Sequence, residues 1–242
     1  MTVRAAPTWL FDLDDTLHDA SHASLVPTSQ AMNDYIVRHL ALTDDEARAL
    51  RQLYWKRYGA TLLGLIRHHG VSASHFLEAT HRLPGLEERL RTSAHDRAAL
   101  CRLPGRKFIL TNAPRSYAMR VLDTLKLTRC FDGVLCIEDM TMFGQHRPKP
   151  DARMFRHIAA RLRVPPSRCV LVEDTLAHQR SARSVGMRTV WMQRYLRGAI
   201  HAAGAGVKVS VHPCPKPPYV CARIKRIQPL RSLWCTRDEL HS

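Results

Sequence analysis

The chain has 242 residues, of which 45% are hydrophobic and 24% charged, and its formal net charge is +16. This length and composition are typical of a globular protein with a full core and one or two domains. No apolar stretch approaches the roughly 18 residues that span a bilayer, and the N-terminal residues lack the apolar core of a signal peptide. We therefore expect a cytoplasmic protein with no membrane partner. The positive charge comes without an RRM, zinc-finger or basic-helix signature, which argues against nucleic acid as the partner.

The seven cysteines are dispersed along the sequence and form no CxxC pair. Their number is odd, and some lie in apolar surroundings, such as Cys169 before Val170. This pattern predicts reduced, buried thiols and argues against a disulfide framework or a zinc site.

The first predicted element is a short buried strand, Trp9 to Phe11, which ends abruptly in three carboxylates and Thr16. In an open α/β sheet, ligands bind in the crevice beyond the carboxyl ends of the strands. Asp12 and Asp14 have one residue between them, so both can project into such a crevice. Because close like charges repel, a cation or a transferring group is expected beside them. Taken alone, the pair fits an acidic turn with an Asp N-cap equally well.

A long helical stretch follows this strand. After a predicted exposed loop over His18 to Pro27, apolar residues recur at helical spacing. Thr43 and Glu46 have the spacing of a capping box at the start of a further helix. The helical pattern continues to the break at Pro84-Gly85. Residues 19–95 therefore form an all-helical insert without a convincing strand.

Strands and helices alternate in the rest of the chain. Buried strands are predicted over residues 107–110, 133–137, 169–172, 188–192 and 219–224. Such alternation is typical of a parallel sheet with helices on both faces. We predict an α/β fold with a Rossmann-like core domain over residues 1–18 and 96–242, and a helical domain over residues 19–95. The segment 198–218, rich in Gly, Ala and Pro, is predicted to be a loop.

The strand ends carry, in chain order, the groups that a phosphate-ester hydrolase needs. An aspartate can act as the nucleophile and pass through an aspartyl-phosphate. Mg²⁺ prefers one or two carboxylates together with phosphate oxygen and water. A lysine ammonium and a hydroxyl stabilise charge on the transferring group. The residues that match these needs are Asp12 and Asp14, Thr111, Lys149, and Glu173 with Asp174.

These four motifs, each at a strand end or in the loop after a strand, resemble those of the haloacid dehalogenase-like (HAD) hydrolase superfamily. The matching segments are Asp12-Leu13-Asp14-Asp15-Thr16, Leu110-Thr111-Asn112, Arg147-Pro148-Lys149-Pro150 and Glu173-Asp174. The resemblance covers residues 8 to about 196 and implies the HAD fold. It also implies that Asp12 is the nucleophile and Asp14 the general acid and base.

The same resemblance implies a Mg²⁺ cofactor. The ion would lie on Asp12, the main-chain carbonyl of Asp14 and Asp174, with Glu173 close by. The second aspartate favours a phosphatase, because dehalogenases of the family lack an acid at that position.

The resemblance assigns the phosphoryl group to three further residues, Thr111, Asn112 and Lys149. It also reveals one departure, because family members usually carry Asn where this chain has His178. If that side chain positions the metal or the lysine, a lower activity or a changed pH dependence is expected.

The helical insert is similar to the C1 cap of the family, a lid that shields the site and contacts the substrate. Within it, residues 57–65 resemble the cap segment of pyrimidine 5′-nucleotidases of the superfamily, as does the run Phe11 to Ser21. On this resemblance Tyr58 and Thr61 face a base or ribose, although packing within the cap explains them equally well.

The predicted function is that of a Mg²⁺-dependent phosphatase for a small phosphate ester, with a pyrimidine nucleoside monophosphate such as UMP or CMP as substrate. One alternative is a HAD phosphatase for a small sugar phosphate or phosphoglycolate. Another is a non-catalytic protein that binds nucleotide. The sequence leaves the oligomeric state, the base and sugar preference and the role of the basic C-terminal region open.

Overall fold

A computed structural model describes residues 6–195 and 215–235 of the chain. The strands in these ranges are β1 (Thr8–Phe11), β2 (Arg106–Leu110), β3 (Gly133–Leu135), β4 (Thr141–Met142), β5 (Gln145–His146), β6 (Cys169–Glu173), β7 (Arg188–Met192) and β8 (Ala222–Ile224). Six of them form the main sheet, which is parallel and has the order β3-β2-β1-β6-β7-β8, so β1 lies between β2 and β6. A separate antiparallel pair, β4-β5, precedes the Lys149 loop. The predicted α/β fold is confirmed.

Between β1 and β2, a stretch that the structure describes throughout, the chain forms seven helices and no strand. None of the helices in the described ranges has the length and apolar content of a membrane span. In chain order the helices are α1 (Ala20–Ala23), α2 (Leu25–Leu40), α3 (Asp44–Tyr58), α4 (Thr61–His69), α5 (Ala73–His81), α6 (Leu86–Arg89), α7 (Ala94–Arg102), α8 (Arg115–Thr124), α9 (Ala152–Arg161), α10 (Leu176–Ser184) and α11 (Pro229–Cys235).

Helices cover both faces of the sheet. Successive side chains of a strand point to opposite faces, and in β1 Trp9 and Phe11 join one buried cluster while Leu10 joins the other. Helix α8 contributes to the first cluster and α9 to the second. The strands are therefore buried on both sides, which accounts for their continuous apolar runs.

Helices α2 to α5, residues 25–81, have a buried cluster of their own and are called the helical region below. Its centre contains Tyr35, Tyr54 and Phe76. The leucines of residues 83–103 pack instead with the first cluster of the sheet. The domain boundaries predicted at residues 19 and 95 stay a prediction.

The predicted exposed loop over His18 to Pro27 is wrong. Helix α1 begins at Ala20, and α2 begins at Leu25. Leu25 and Val26 are exposed, so the first turn of α2 lacks the apolar periodicity that signals a helix. Proline is tolerated in that turn because its missing N–H would have no partner there. The capping box at the start of α3 is confirmed.

Three details of the second half also differ from the sequence prediction. Strand β3 ends two residues before the predicted end, because a short 3₁₀ helix occupies Ile137–Asp139, and β8 begins at Ala222 instead of residue 219. The β4-β5 hairpin was not predicted. Its turn residue Phe143 is 98% exposed, so the hairpin lacks an alternating apolar face. Of the predicted loop 198–218, residues 198–214 lie outside the described residues.

Cys101 and Cys130 form a disulfide, which corrects the prediction of reduced thiols. They are 29 residues apart in the sequence, and the bond joins α7 to the 3₁₀ helix Thr128–Cys130. This contact arises from tertiary packing and leaves no mark on the cysteine spacing. Cys136 and Cys169 are buried free thiols, as predicted.

Candidate active site

The carboxyl ends of β1, β2 and β6 lie side by side and bring the predicted residues together. Beyond the last residue of β1, the Asp12 N–H still donates to the Val172 carbonyl of β6 at 3.0 Å. A pocket of about 310 Å³ opens at this edge of the sheet. Its lining includes Asp12, Asp14, Asn112, Lys149, Glu173, Asp174 and His178. The pocket occupies the place where ligands bind in open α/β sheets.

Lys149 is the centre of the charge arrangement. Its side chain is 1% exposed, and Nζ donates to Asp12 Oδ1 at 2.6 Å and to Glu173 Oε2 at 2.8 Å. Burial disfavours the ammonium, but these two carboxylates outweigh burial and raise the pKa of Lys149. The lysine is therefore a fixed positive charge between two carboxylates.

Asn112 holds the loop that presents Lys149. Its Nδ2 donates to the Lys149 carbonyl, and its Oδ1 accepts from the Lys149 N–H, both at 2.9 Å. Since both ends of the amide bind the same backbone, Asn112 acts on the site through Lys149. The contact with the phosphoryl group that the resemblance implies for Asn112 stays a prediction.

Three carboxylates crowd around this single ammonium. Asp12, Glu173 and Asp174 each offer an oxygen within 4.8 Å of the others. Burial, then the charge of Glu173, raises the pKa of Asp12 to about 8 and that of Asp174 to about 10. Ionising all three carboxylates therefore requires more positive charge than Lys149 provides. A divalent cation with oxygen ligands would supply the missing charge, so the donor set fits Mg²⁺.

Glu173 is fully buried and joins β6 to α10. Burial opposes its ionisation, but Lys149 and the His178 ring outweigh burial and hold the pKa of Glu173 well below its usual range. His178 Nδ1 lies 3.1 Å from Glu173 Oε2, and Gln179 Nε2 donates to the Glu173 carbonyl at 2.9 Å. The residue that departs from the family pattern therefore contacts a site carboxylate.

Asp14 is held by two side chains that sequence reasoning did not assign to it. Tyr117 Oη donates to Asp14 Oδ1 at 2.8 Å, and His18 Nε2 lies 3.0 Å from the same oxygen. Burial alone would raise the pKa of Asp14, but the hydrogen bonds from His18 and Tyr117 outweigh it and lower the pKa. His18 was expected on an exposed loop and is fully buried. Asp14 is therefore ionised in this arrangement.

Thr111 follows β2 as predicted and is buried. Its Oγ1 accepts from the Ala113 N–H at 3.0 Å, which leaves the hydroxyl hydrogen as a donor. Thr16 Oγ1 donates to Asp12 Oδ2 at 3.3 Å. Both oxygens of Asp12 therefore have partners.

The two residues proposed from the helical insert differ in their placement. Thr61, the first residue of α4, lines a second, larger cavity next to the site pocket. Tyr58 is not part of that lining, and its hydroxyl lies 2.6 Å from His68 Nε2 on α4. The Tyr58 hydroxyl therefore has a partner within the helical region, and substrate contact stays a prediction for both Tyr58 and Thr61.

His81, at the end of α5, was missed by the sequence analysis. It lines both the site pocket and the larger cavity, and its ring packs edge-on against Tyr117. Burial lowers its pKa, so the ring is neutral at neutral pH. No motif surrounds this histidine, and only the packing of α5 near the sheet reveals its position.

The model of the haloacid dehalogenase-like hydrolases matches residues 7–186, and the chain belongs to this family. It is therefore a hydrolase with a HAD fold.

Several known proteins resemble the chain. A Saccharomyces cerevisiae relative, Phosphate metabolism protein 8, is 27% identical over 198 residues, which are 76% of this chain and 60% of that protein. The chain thus spans about 60% of the length of this curated relative. The crystal structure of a HAD phosphatase from Thermococcus onnurineus has a TM-score of 0.58 and 21% identity, covering 96% of this chain and 98% of that one.

Two further solved structures show the same fold. The putative HAD-hydrolase YfnB from Bacillus subtilis, bound to magnesium, has a TM-score of 0.57 and 18% identity, with coverage of 95% and 99% of the two chains. The L-2-haloacid dehalogenase from Xanthobacter autotrophicus, with chloropropionic acid covalently bound, has a TM-score of 0.56 and 15% identity, with coverage of 96% and 99%. Because phosphatases and dehalogenases share the fold, the reaction has to be argued from the site.

Proposed function

We propose that the protein is a Mg²⁺-dependent phosphomonoesterase that forms an aspartyl-phosphate on Asp12. The observation that carries the proposal is the buried Lys149 ammonium, in contact with Asp12 and Glu173 at the end of the central strand. A cation in this position stabilises negative charge on a phosphoryl group that Asp12 receives. Asp14 supplies the acid and base that a dehalogenase of the family lacks.

The proposed reaction has two half-reactions. First, a carboxylate oxygen of Asp12 attacks phosphorus while the bond from phosphorus to the leaving oxygen breaks, and that oxygen takes a proton from the Asp14 carboxyl. Then Asp14 takes a proton from water, the water oxygen attacks phosphorus, and inorganic phosphate leaves as the Asp12 carboxylate is restored.

The hydrogen bonds of Asp14 suit the second half-reaction. Tyr117 and His18 favour the ionised carboxylate, which is the form that accepts a proton from water. A phosphate group bound nearby adds like charge, and like charge raises the pKa of a carboxyl group. Substrate binding thus favours the protonated Asp14 that the first half-reaction requires.

Asp12 and Asp174 would hold Mg²⁺ through their carboxylates, and Asp14 through its main-chain carbonyl, with Glu173 close by. When bound, the ion supplies positive charge to the oxygens of the phosphoryl group. Thr111 donates its hydroxyl hydrogen to the same group. Asn112 keeps Lys149 in place through its two backbone hydrogen bonds.

The proposed substrate is a pyrimidine nucleoside 5′-monophosphate, and the segment 19–95 is proposed to act as the C1 cap over a core domain of residues 1–18 and 96–242. The cavity beside the site supports this choice over phosphoglycolate. Its volume is about 680 Å³, within the range of about 300–1,000 Å³ that small-molecule sites occupy. A two-carbon leaving group would leave most of this space unfilled. We place the reaction in the cytoplasm.

An assay of phosphate release tests the proposal. The esters are UMP, CMP, phosphoglycolate and phenyl phosphate, each measured with Mg²⁺ and with excess EDTA. The expected result is release that needs Mg²⁺ and is fastest with a pyrimidine nucleotide. Release from phenyl phosphate alone would support the phosphomonoesterase activity and refute the pyrimidine nucleotide as substrate. Tight binding of UMP without release from any ester would favour the non-catalytic alternative.

A further inference from the structure

The 680 Å³ cavity lies between the helical region and the site pocket. Helices α2 to α5 contribute most of its lining, and His81 and Asn112 line both the cavity and the pocket. The two spaces therefore share a wall at the place where Lys149 is held. A phosphate ester with its phosphoryl group at Lys149 would extend its organic part into this cavity.

The cavity wall carries positive charge. Its lining includes Arg48, Arg51 and Lys56 and, within the described part of the chain, no aspartate or glutamate. Arg48 is already paired with Asp44 and Asp45 on the same helix. The wall thus contains cations that no acid of the wall neutralises.

Arg51 is the cation with unused hydrogen-bonding capacity. Its one side-chain partner among the described residues is the Ser29 hydroxyl, which accepts from a terminal nitrogen at 2.7 Å. Arg51 Nε is buried without a partner, and no ion pair involves Arg51 within residues 6–195 and 215–235. Burial, together with the nearby Arg48, lowers the pKa of Arg51. A guanidinium has five N–H donors, so most of those of Arg51 have no hydrogen-bond partner among the described residues.

Apolar and aromatic groups form the rest of the wall. Trp55 lies one turn after Arg51 on α3, lines the cavity and is 65% exposed. Leu62, Phe76 and Leu77 line it as well. Large indole rings are rarely left this exposed without a partner, and an aromatic face can stack on a planar ring. The wall therefore suits a flat organic group that also carries acceptor oxygens.

We infer that this cavity receives the leaving group and that Arg51 selects leaving groups with acceptor oxygens outside the scissile phosphate. The inference rests on the proposed function and names the chemistry that the substrate must present. Ring carbonyl oxygens of a pyrimidine and the oxygens of a second phosphate are two sources of this chemistry. Neither aliphatic alcohols nor phenol offers it.

Steady-state kinetics test the inference. They compare wild type, Arg51→Met and Arg51→Lys on three esters: UMP, fructose 1,6-bisphosphate and phenyl phosphate. Loss of one hydrogen bond to a charged group lowers kcat/KM by about tenfold or more. We expect Arg51→Met to lose at least about tenfold more on an acceptor-bearing ester than on phenyl phosphate, chiefly through KM. Arg51→Lys should recover part of the loss. If Arg51→Met loses kcat/KM selectively on UMP, the group that Arg51 binds is a ring carbonyl. If the selective loss is on the bisphosphate, that group is a second phosphate.

Arg67→Met is the matched control. Arg67 is an exposed arginine of α4 that does not line the cavity, so the substrate preference should not change. Equal losses on all three esters in Arg51→Met, or no loss, would overturn the inference. If the wild type released phosphate from no ester, the proposed function would fall. Equilibrium binding of UMP would then test the role of the cavity. Weaker binding in Arg51→Met than in wild type would support the cavity assignment, whereas unchanged binding, or no binding to either protein, would overturn it.

Discussion

The sheet edge and the helical region hold their polar side chains in opposite ways. At the sheet edge, the buried Lys149 ammonium binds the buried carboxylates of Asp12 and Glu173 at 2.6 and 2.8 Å. In the cavity of the helical region, Arg51 has a single hydroxyl partner and Trp55 is largely exposed. Groups fixed in advance suit a reaction, since preorganised charge needs no rearrangement. Groups with open donors suit recognition. We therefore propose that the sheet edge performs the chemistry and that the helical region provides the selectivity.

Lys149→Met gives the largest expected effect on this division. The substitution leaves Asp12 and Glu173 buried without their cation, and we expect kcat to fall by about a hundredfold to a thousandfold on every ester. Thermal unfolding should show a loss of stability as well, because a buried charge without its partner is costly. Lys107→Met is the control, because the partners of Lys107 Nζ among the described residues are the Leu103 and Gly105 carbonyls. If both variants kept wild-type kcat, the sheet edge would not be the reacting site.

Tyr117→Phe should lower kcat by about tenfold, the effect of one hydrogen bond to a charged group, and leave KM for UMP within about twofold of wild type. The Tyr117 hydroxyl donates to Asp14 and also lies 2.8 Å from Ser24 Oγ. Tyr35→Phe removes a hydroxyl that binds His75 within the helical region, so it should leave kcat unchanged. A change in KM alone for Tyr117→Phe would argue against its role in positioning Asp14.

Gly64→Ala should destabilise the helical region by about 1–3 kcal/mol, the usual cost of overpacking. A Cβ at this position would lie 2.1 Å from Tyr54 Cγ. An unhindered helical site would instead gain about 1 kcal/mol from the same change, so the sign of the effect is diagnostic. Urea unfolding measures the change in the free energy of unfolding. In a Tyr54→Leu background the penalty should shrink, and an equal penalty there would show that the ring is not its cause.

His178→Asn should change kcat/KM by less than about threefold, the smallest kinetic effect among these variants. An asparagine amide can still donate to Glu173, so the Glu173–Lys149 ion pair is kept. Mg²⁺ titration of the rate gives a second readout. A tenfold gain in kcat/KM would contradict this prediction, because it would mean that His178 restrains the enzyme.

The disulfide between Cys101 and Cys130 can be tested directly in the native protein. It lies between α7 and the 3₁₀ helix that packs on α8, away from the site pocket. Mass spectrometry of a non-reduced tryptic digest should yield the Cys101 peptide linked to the Cys130 peptide. Alkylation of both thiols in the native protein would refute the bond.

The sequence could predict the sheet and the reacting residues because their signals are local. Each of β1, β2 and β6 is an apolar run that ends in polar side chains, so Asp12, Thr111 and Glu173 could be placed without the structure. The parallel topology then brings those ends together. Lys149 could be placed only through its family motif, since a lysine in a proline-rich loop is usually a surface residue.

The partners of these residues could not be predicted, because they come from packing. Tyr117 reaches Asp14 across 103 positions of the chain, and His81 reaches the site through the position of α5. Arg51 looks like an ordinary helical surface residue until the cavity beside it is seen. Tyr58 shows the converse, since its family resemblance pointed to substrate and its hydroxyl binds His68.

Phosphate release from UMP in Mg²⁺, compared between wild type and Asp12→Asn, tests the central claim most directly. Asparagine keeps the size of the side chain but removes the carboxylate that attacks phosphorus. We predict a rate at least about a thousandfold lower in the variant, as expected for loss of a nucleophile. Equal rates in the two proteins would contradict it, because phosphate would then be released without Asp12.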